Sequence, residues 1–422
     1  MRLVMPNPLW IKASSIIQGV SLLFLSSAFG AEPMRLNLEQ AIQAALERNL
    51  ELKAKKEELG VAEGRVIRAD LFLQSNPELG GDVGNFKVTR GEPAFAKNQT
   101  NYGFSLNQEF EIGGQPRYRR EAAQRNLEKV NFEVSDLERV IRFRISAFFL
   151  KLLNAQAKIK QAEQIVDFRS RLYEASKTRL SLGDIPEVQV IVAEFELNKA
   201  KSDLISFQRE YEELFSRLRT ELALERVDVV GDLTRQTFPL SLDELLKSAL
   251  EKRPDLAAFD REKKVTEAEE LLTRAERIPN VTLGAFYDRA KQEGGYTAGG
   301  RISIPIPLWD RKQAELRQAL ALKSIANIHY LNLRQSIEKA VRAAYERFKL
   351  SEKDLSLYPG EVMKRFDENL ELNQKAYQEG QIGLSEVILF QNQVIEARLK
   401  FLDTLTTYNL SLAELKLQAG IE

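Results

Sequence analysis

The chain states one plan twice, and this duplication limits its fold more than any other feature. LNLEQAIQAALERNLELKA, beginning at Leu36, returns as LSLDELLKSALEKRPDLAA from Leu240. At one fixed offset Leu36 matches Leu240, Leu38 matches Leu242, Ala45 matches Ala249 and Leu52 matches Leu256. At a slightly smaller offset Gly183 matches Gly380, Ile185 matches Ile382, Tyr211 matches Tyr408 and Leu218 matches Leu415. A repeat of nearly half the chain is far longer than the roughly 20–50 residues of a solenoid unit. The chain therefore reads as two copies of one domain-sized unit, residues 31–225 and 240–422, joined by a linker over 226–239.

Each copy orders its elements alike. In the first, helical spacing of apolar residues runs from 38 to about 74, and Asn76-Pro77 ends it. A strand pair is expected over 78–112, because Tyr102, Phe104, Leu106, Phe110 and Ile112 alternate with polar or small residues. Residues 117–182 hold neither proline nor glycine. At 1.5 Å per residue a helix over 115–182 would reach roughly 100 Å, too long for a compact domain, and reads as a coiled coil or a stave of a larger bundle. Gly183 to Pro186 turns the chain into a return helix over 186–225. The second copy repeats this: a helix over 242–277 with Pro254 opening its second segment, a strand pair over 281–308, a long helix over 310–379 kinked at Pro359-Gly360, and a return helix over 384–417. The first hairpin is the longer one, with the extra residues placed in a loop near 91–98. The two shorter helices of each copy together match the long one and are expected to stack end to end beside it.

Composition removes several function classes. The net charge is zero, which argues against nucleic acid as a partner. With no cysteine and one histidine, His329 in mid-helix, neither a thiolate nor a His/Cys metal site is expected, and no nucleophile motif accompanies the histidine. No cofactor and no catalytic residue is assigned. The many Asp and Glu residues lie on helices, where solvated faces and intrahelical ion pairs are the ordinary outcome. The N-terminus reads as a secretory signal over residues 1–30: Arg2 and Lys12 supply charge, residues 16–25 an apolar stretch too short to span a bilayer, and Ala28-Phe29-Gly30 a cleavage site.

An exported chain without a membrane-spanning helix can enter a bilayer only as a barrel. Four strands leave two open edges and an apolar outer face, so several copies should pool them. Three copies would give a 12-stranded barrel above a hollow helical cylinder.

LNLEQAIQAALERN at Leu36, NPEL at Asn76, FEIGGQPRYRR at Phe110, SIPIPLWDRKQAE at Ser303, and the turns RLSLGDIPEVQV and YQEGQIGLSEVI resemble, in order and spacing, the TolC family of outer-membrane efflux proteins. The branch they most resemble is the CzcC-like one of cobalt-zinc-cadmium efflux. The resemblance implies a mainly α fold with a small β part: a homotrimer in outer-membrane lipid, with long-helix hairpins forming an α-helical barrel in the periplasm and four strands per chain forming a 12-stranded β-barrel. It implies a passive duct for heavy-metal cations, docked to a periplasmic adaptor (membrane fusion protein) and an inner-membrane RND-type pump. It places a periplasmic gate at Tyr377 and Glu386, and adaptor-docking tips at Arg179, Leu180, Ser181, Gly183, Asp184, Gly380, Gln381 and Gly383. Leu389, Ile382 and Gln189 stand where the family carries charged gate residues. Glu386 is equally a helix-start residue favoured by the dipole, and the glycine turns equally simple turn chemistry. A drug-efflux or type I secretion duct and a pore-free periplasmic coiled-coil adaptor or scaffold are the alternatives.

Overall fold

The computed structural model describes residues 34–90, 95–225, 227–290, 295–359, 372–373 and 375–421. The expected signal peptide, Gly360 of the expected kink and the tips of both hairpin loops lie outside them. The first repeat holds β1 (Met34–Leu36), α1 (Leu38–Arg48), α2 (Leu50–Ala69), β2 (Glu78–Arg90), β3 (Phe95–Phe110), α3 (Gln115–Ser181) and α4 (Glu187–Leu222). The second holds β4 (Val227–Val229), α5 (Leu242–Lys252), α6 (Pro254–Ala275), β5 (Val281–Ala290), β6 (Tyr296–Ser303), α7 (Gln313–Leu355) and α8 (Leu384–Ala419).

The duplication extends to the caps. Asn37 and Gln40 form a capping box at the start of α1, and their counterparts Ser241 and Glu244 form one at α5. The expected single helix from 38 to 74 is in fact two, and it ends at Ala69. Asn49 breaks it, because its side chain accepts the Leu52 N–H at 3.0 Å and its backbone is extended (ψ 124°). Arg253 holds the equivalent backbone in the second repeat (ψ 122°), where Pro254 forbids a helical predecessor. The expected helix over 310–379 begins at Gln313, its first part ends at Leu355, and residues 372–373 and 375–378 before the second turn are helical again. Short-range bonds from Leu357 and Tyr358 to Asp354 and Leu355 close the first part before Pro359. The expected strand to 308 stops at Ser303, since Pro305 and Pro307 have no N–H for a ladder. The extra residues of the first hairpin lengthen β2 and β3, of 13 and 16 residues, and not a loop through Asn98.

The linker is ordered. Val227–Val229 pairs in parallel with Met34–Leu36, burying Leu36, Val227 and Val229 in the first core. Further on, the Gln236 and Thr234 carbonyls accept from Tyr408 (2.5 Å) and Asn409 (3.0 Å) of α8.

Each repeat has its own apolar core at matched positions. Ala45, Leu52 and Leu218 lie in one; Ala249, Leu256 and Leu415 lie in the other. Along α3 a seven-residue period runs through Val134, Ile141, Phe148, Ala155, Ala162, Arg169 and Ser176, buried or half-buried throughout. That is a coiled-coil seam. Both α2 and α4 pack on α3, so the two shorter helices run beside the 67-residue one as expected. Where they meet, Arg144 of α3 reaches Glu51 at 3.2 Å and Glu221 at 3.4 Å. In the second repeat this junction is held by Arg253. It pairs with Asp255 at 2.6 Å and donates to the Gln418 carbonyl and side chain at 3.0 Å, next to Gly420 in the left-handed conformation that ends α8. Helix contacts give the lateral order α4–α3–α8–α7.

Burial pushes the Asp255 carboxyl up. The Arg253 hydrogen bonds and charge, the Arg139 charge and the Leu256 N–H outweigh it and hold Asp255 below the usual range. Its contribution to stability is therefore full above the unfolded value, about 3.9, and is lost as pH falls through the folded one. Arg253→Ala strands a buried carboxylate and should cost about 3 kcal/mol. Thermal unfolding should show a large loss at pH 7 that narrows as pH drops toward 3. Arg217→Ala, which removes an exposed pair, should change nothing measurable.

Candidate functional site

The sheet at one end and the turns at the other carry the features a duct needs. The sheet is antiparallel with order β2-β3-β5-β6, so β3 and β5 join the repeats and β2 and β6 are edges. Register fixes two unlike faces. One carries Leu79 and Val83, Tyr102, Phe104 and Leu106, Leu283 and Tyr287, and Tyr296 and Ile302 on successive strands. These side chains are exposed, Leu79, Val83, Tyr296 and Ile302 each by 70 % or more. The other face carries Asp82, Asn101, Gly103, Ser105, Thr282, Asp288, Thr297 and Arg301. Register puts Asp82 and Asp288 on either side of Gly103, and their carboxylates occupy the space a Cβ there would need. Below the sheet, Ile304, Ile306, Leu308 and Trp309 are also exposed. No helix among the described residues is long and apolar enough to cross a membrane.

The two glycine turns share one geometry. Gly183 (φ 78°) and Gly380 (φ 75°) take the left-handed conformation. The amides after them, Asp184 and Gln381, bond back to the Arg179 and Ala376 carbonyls at 2.9 and 2.8 Å. This pattern satisfies the last carbonyls of each helix. The turns are packed together by a small core of Leu172, Ala193, Tyr377, Leu384 and Val387, with Ile382 against it.

Tyr377 is fully buried in that core. Its hydroxyl lies 2.9 Å from Ser176 Oγ, which itself donates to the Leu172 carbonyl at 2.9 Å, so Tyr377 is the donor. Arg179 stands over the Tyr377 ring at 5.1 Å and donates to the Tyr377 carbonyl at 3.2 Å. The structure thus brings Tyr377, Arg179 and Gly380 together. The remaining turn positions face water: Ser181, Gly183, Asp184, Gln381 and Gly383 are exposed and Leu180 is half-buried. Glu386 is exposed and accepts the Gly383 N–H at 3.2 Å, the capping contact of its own helix. Leu389 is exposed and Gln189 is half-buried.

Sequence reasoning missed the polar residues inside the α3–α8 seam. Arg169, 2 % exposed, reaches Asn392 at 2.8 Å and Glu196 at 3.5 Å, and its Nη1 has no partner. Burial lowers its pKa against the charge of Glu196. The signal was present: Arg169 and Ser176 fall on the same seven-residue period as the apolar positions. His329 is exposed on α7, edge-on to Phe259.

The tip bond predicts an asymmetry. Tyr377→Phe should cost about 1 kcal/mol, whereas Ser176→Ala leaves a buried hydroxyl without an acceptor and should cost about 1–3 kcal/mol. The double variant should be no worse than Ser176→Ala alone. Hydrogen exchange at amides near residues 176 and 377 reads both.

Residues 245–420 match the Outer membrane efflux protein family. Over 378 residues the chain is 25 % identical to the cobalt-zinc-cadmium resistance protein CzcC of Cupriavidus metallidurans, covering 88 % of this chain and 86 % of that one. Its fold is similar to that of CusC, described as forming a transmembrane channel (TM-score 0.71, 17 % identity, 94 % of this chain and 96 % of that one). It is also similar to the outer membrane protein VceC of Vibrio cholerae (0.71, 16 %, 91 % and 96 %) and to the open state of the outer membrane channel MtrE of Neisseria gonorrhoeae (0.72, 18 %, 91 % and 89 %).

Proposed function

We propose that this chain, a CzcC homologue carrying an outer membrane efflux protein domain, is one third of an outer-membrane exit duct. The observation that carries the reading is the four-stranded sheet with one exposed apolar face and one polar face. Three such sheets closed edge to edge make a 12-stranded barrel with its apolar face toward lipid and its polar face toward a lumen. The helices continue the wall as a periplasmic tube. A pore-free scaffold has no use for such a sheet.

The duct is passive and does no covalent chemistry. A periplasmic adaptor docks on the tip turns around Arg179 to Asp184 and Gly380 to Gly383, and an inner-membrane RND-type pump supplies the driving force. The gate lies at the same tips. Tyr377 ties the α3 turn to the α8 turn within one copy, and three exposed Glu386 carboxylates would face one another around the axis of a trimer. Opening moves the turns outward at the cost of the Tyr377 to Ser176 bond. Heavy-metal cations are the proposed cargo, by similarity to the cobalt-zinc-cadmium resistance protein. Among the described residues no group of three or more His, Cys, Asp or Glu is gathered to hold a metal ion, so the metal reading rests on that similarity.

Single-channel conductance in a planar bilayer, with mass measured in detergent, tests this. A trimer with small currents that rise several-fold on replacing Tyr377 and Glu386 together is the expected result. A monomer that needs no detergent and carries no current would overturn the duct. A trimer whose currents are large and indifferent to both substitutions would move the gate elsewhere.

A further inference from the structure

Below the junction of the stacked helices, α3, α8 and the short stretch before the second turn enclose a groove of about 810 Å³. Among the described lining residues the rim is cationic, with Lys160 and Arg171 on α3, Lys375, and Arg398 on α8, beside the carboxylate of Asp167. Asp167 is already engaged, 2.9 Å from Arg171. Its floor is apolar, with Ile165, Phe168, Val394 and Leu399. Among the lining residues is Gln391, 1 % exposed, whose Nε2 and Oε1 both have no hydrogen-bond partner. A buried amide with neither end satisfied costs several kcal/mol unless something meets it, and native proteins rarely leave one so. Arg398 donates to Gln161 at 2.8 Å, and burial holds its guanidinium below its ordinary value.

The groove lies between the two inner helices of the order α4–α3–α8–α7. Closing copies into a ring uses the outer helices α4 and α7, so the groove is not consumed by assembly. Its volume is that of a small organic ligand, not of a single inorganic ion.

We propose that this groove is a binding site for an amphiphilic organic anion. An acidic headgroup is held by Lys160, Lys375 and Arg398, an apolar body lies on Phe168, Val394 and Leu399, and the Gln391 amide hydrogen-bonds the ligand at the floor. The site is independent of the duct reading, because binding is measured without current.

The test is calorimetric titration of the full-length protein, in a neutral glucoside detergent, with octanoate as the probe. The expected result is saturable binding near one per chain, weakened at least tenfold by Lys160→Gln with Lys375→Gln. Both lysines are exposed, so the variant should keep its fold, as thermal unfolding would verify. Gln391→Leu should also weaken binding while leaving the protein as stable as before or more so, because it removes an unpaired buried amide. Octanol should fail to displace octanoate, and inorganic phosphate should displace it only weakly. Octanoate uptake that does not saturate, or that is equal in the lysine variant, would mean partition into micelle or barrel and would overturn the proposal. Phosphate binding as tightly as octanoate would reduce the site to a generic anion contact and also overturn it.

Discussion

A sheet whose edge strands are unpaired cannot stand in hydrocarbon, where every unsatisfied N–H or C=O costs several kcal/mol. In the proposed outer-membrane duct this constraint organises the molecule. β3 and β5 pair over ten positions and fuse the two hairpins into one arc, leaving β2 and β6 as edges. The helical layer has the same logic. α3 and α8 are its inner pair, and α4 and α7 are its open sides. Each repeat therefore contributes one open edge to the sheet and one to the helices: β2 and α4 from the first, β6 and α7 from the second. In the proposed trimer one ring closure would satisfy both layers.

The cores inside the repeats and the seam between them are built differently. Within each repeat, long helices meet short ones through aliphatic and aromatic contacts such as Ile141, Phe149 and Leu218, or Phe348, Tyr408 and Leu415. Across the α3–α8 seam, above the small apolar cluster at the turns, polar contacts recur: Asn154 and Lys158 to Asp403, Gln161 to Arg398, and Arg169 to Asn392. Apolar packing is close-fitting and resists sliding, whereas hydrogen bonds between long side chains can be re-made in another register. At the lower end of this seam Tyr377 of the second repeat bonds Ser176 of the first, which is where the proposed gate would be restrained.

Much of this was legible in the chain because duplication doubles every signal. The paired turns at Gly183 and Gly380, the proline- and glycine-free long helix and the alternation around Phe104 all carry local chemistry that composition and spacing reveal. What escaped depends on partners distant in sequence. The break at Asn49 has no proline to announce it; in the second repeat Pro254, next to its counterpart Arg253, marks the same place. Val227–Val229 is too short to show a period and exists because Leu36 lies opposite it. Ser176 as the acceptor for Tyr377, and Gln391 as an unpaired amide, become meaningful only when α3 and α8 are side by side. The sequence pointed to the two turns, but not to the bonds between them.

The central claim is that β6 of one copy completes β2 of the next, and duplication fixes the register. Pro77 aligned with Pro279 makes Val83 the counterpart of Ala285, and Ile112 aligned with Leu308 makes Ile302 the counterpart of Leu106. Within the chain Leu106 lies opposite Ala285, so Ile302 should lie opposite Val83 of the next copy. The chain has no cysteine of its own. The most direct measurement is therefore oxidative cross-linking of a Val83→Cys, Ile302→Cys variant in membranes, read on a denaturing gel. Inside one copy these positions lie three strand spacings apart, roughly 14 Å across the sheet, and about 20 Å apart along the strands, too far for a disulfide, which needs Cα atoms within about 7 Å. The account predicts covalent dimers and trimers that collapse to monomer on reduction, and none from either single variant. A double variant that stays monomeric with both thiols free would contradict edge-to-edge closure and the barrel built on it.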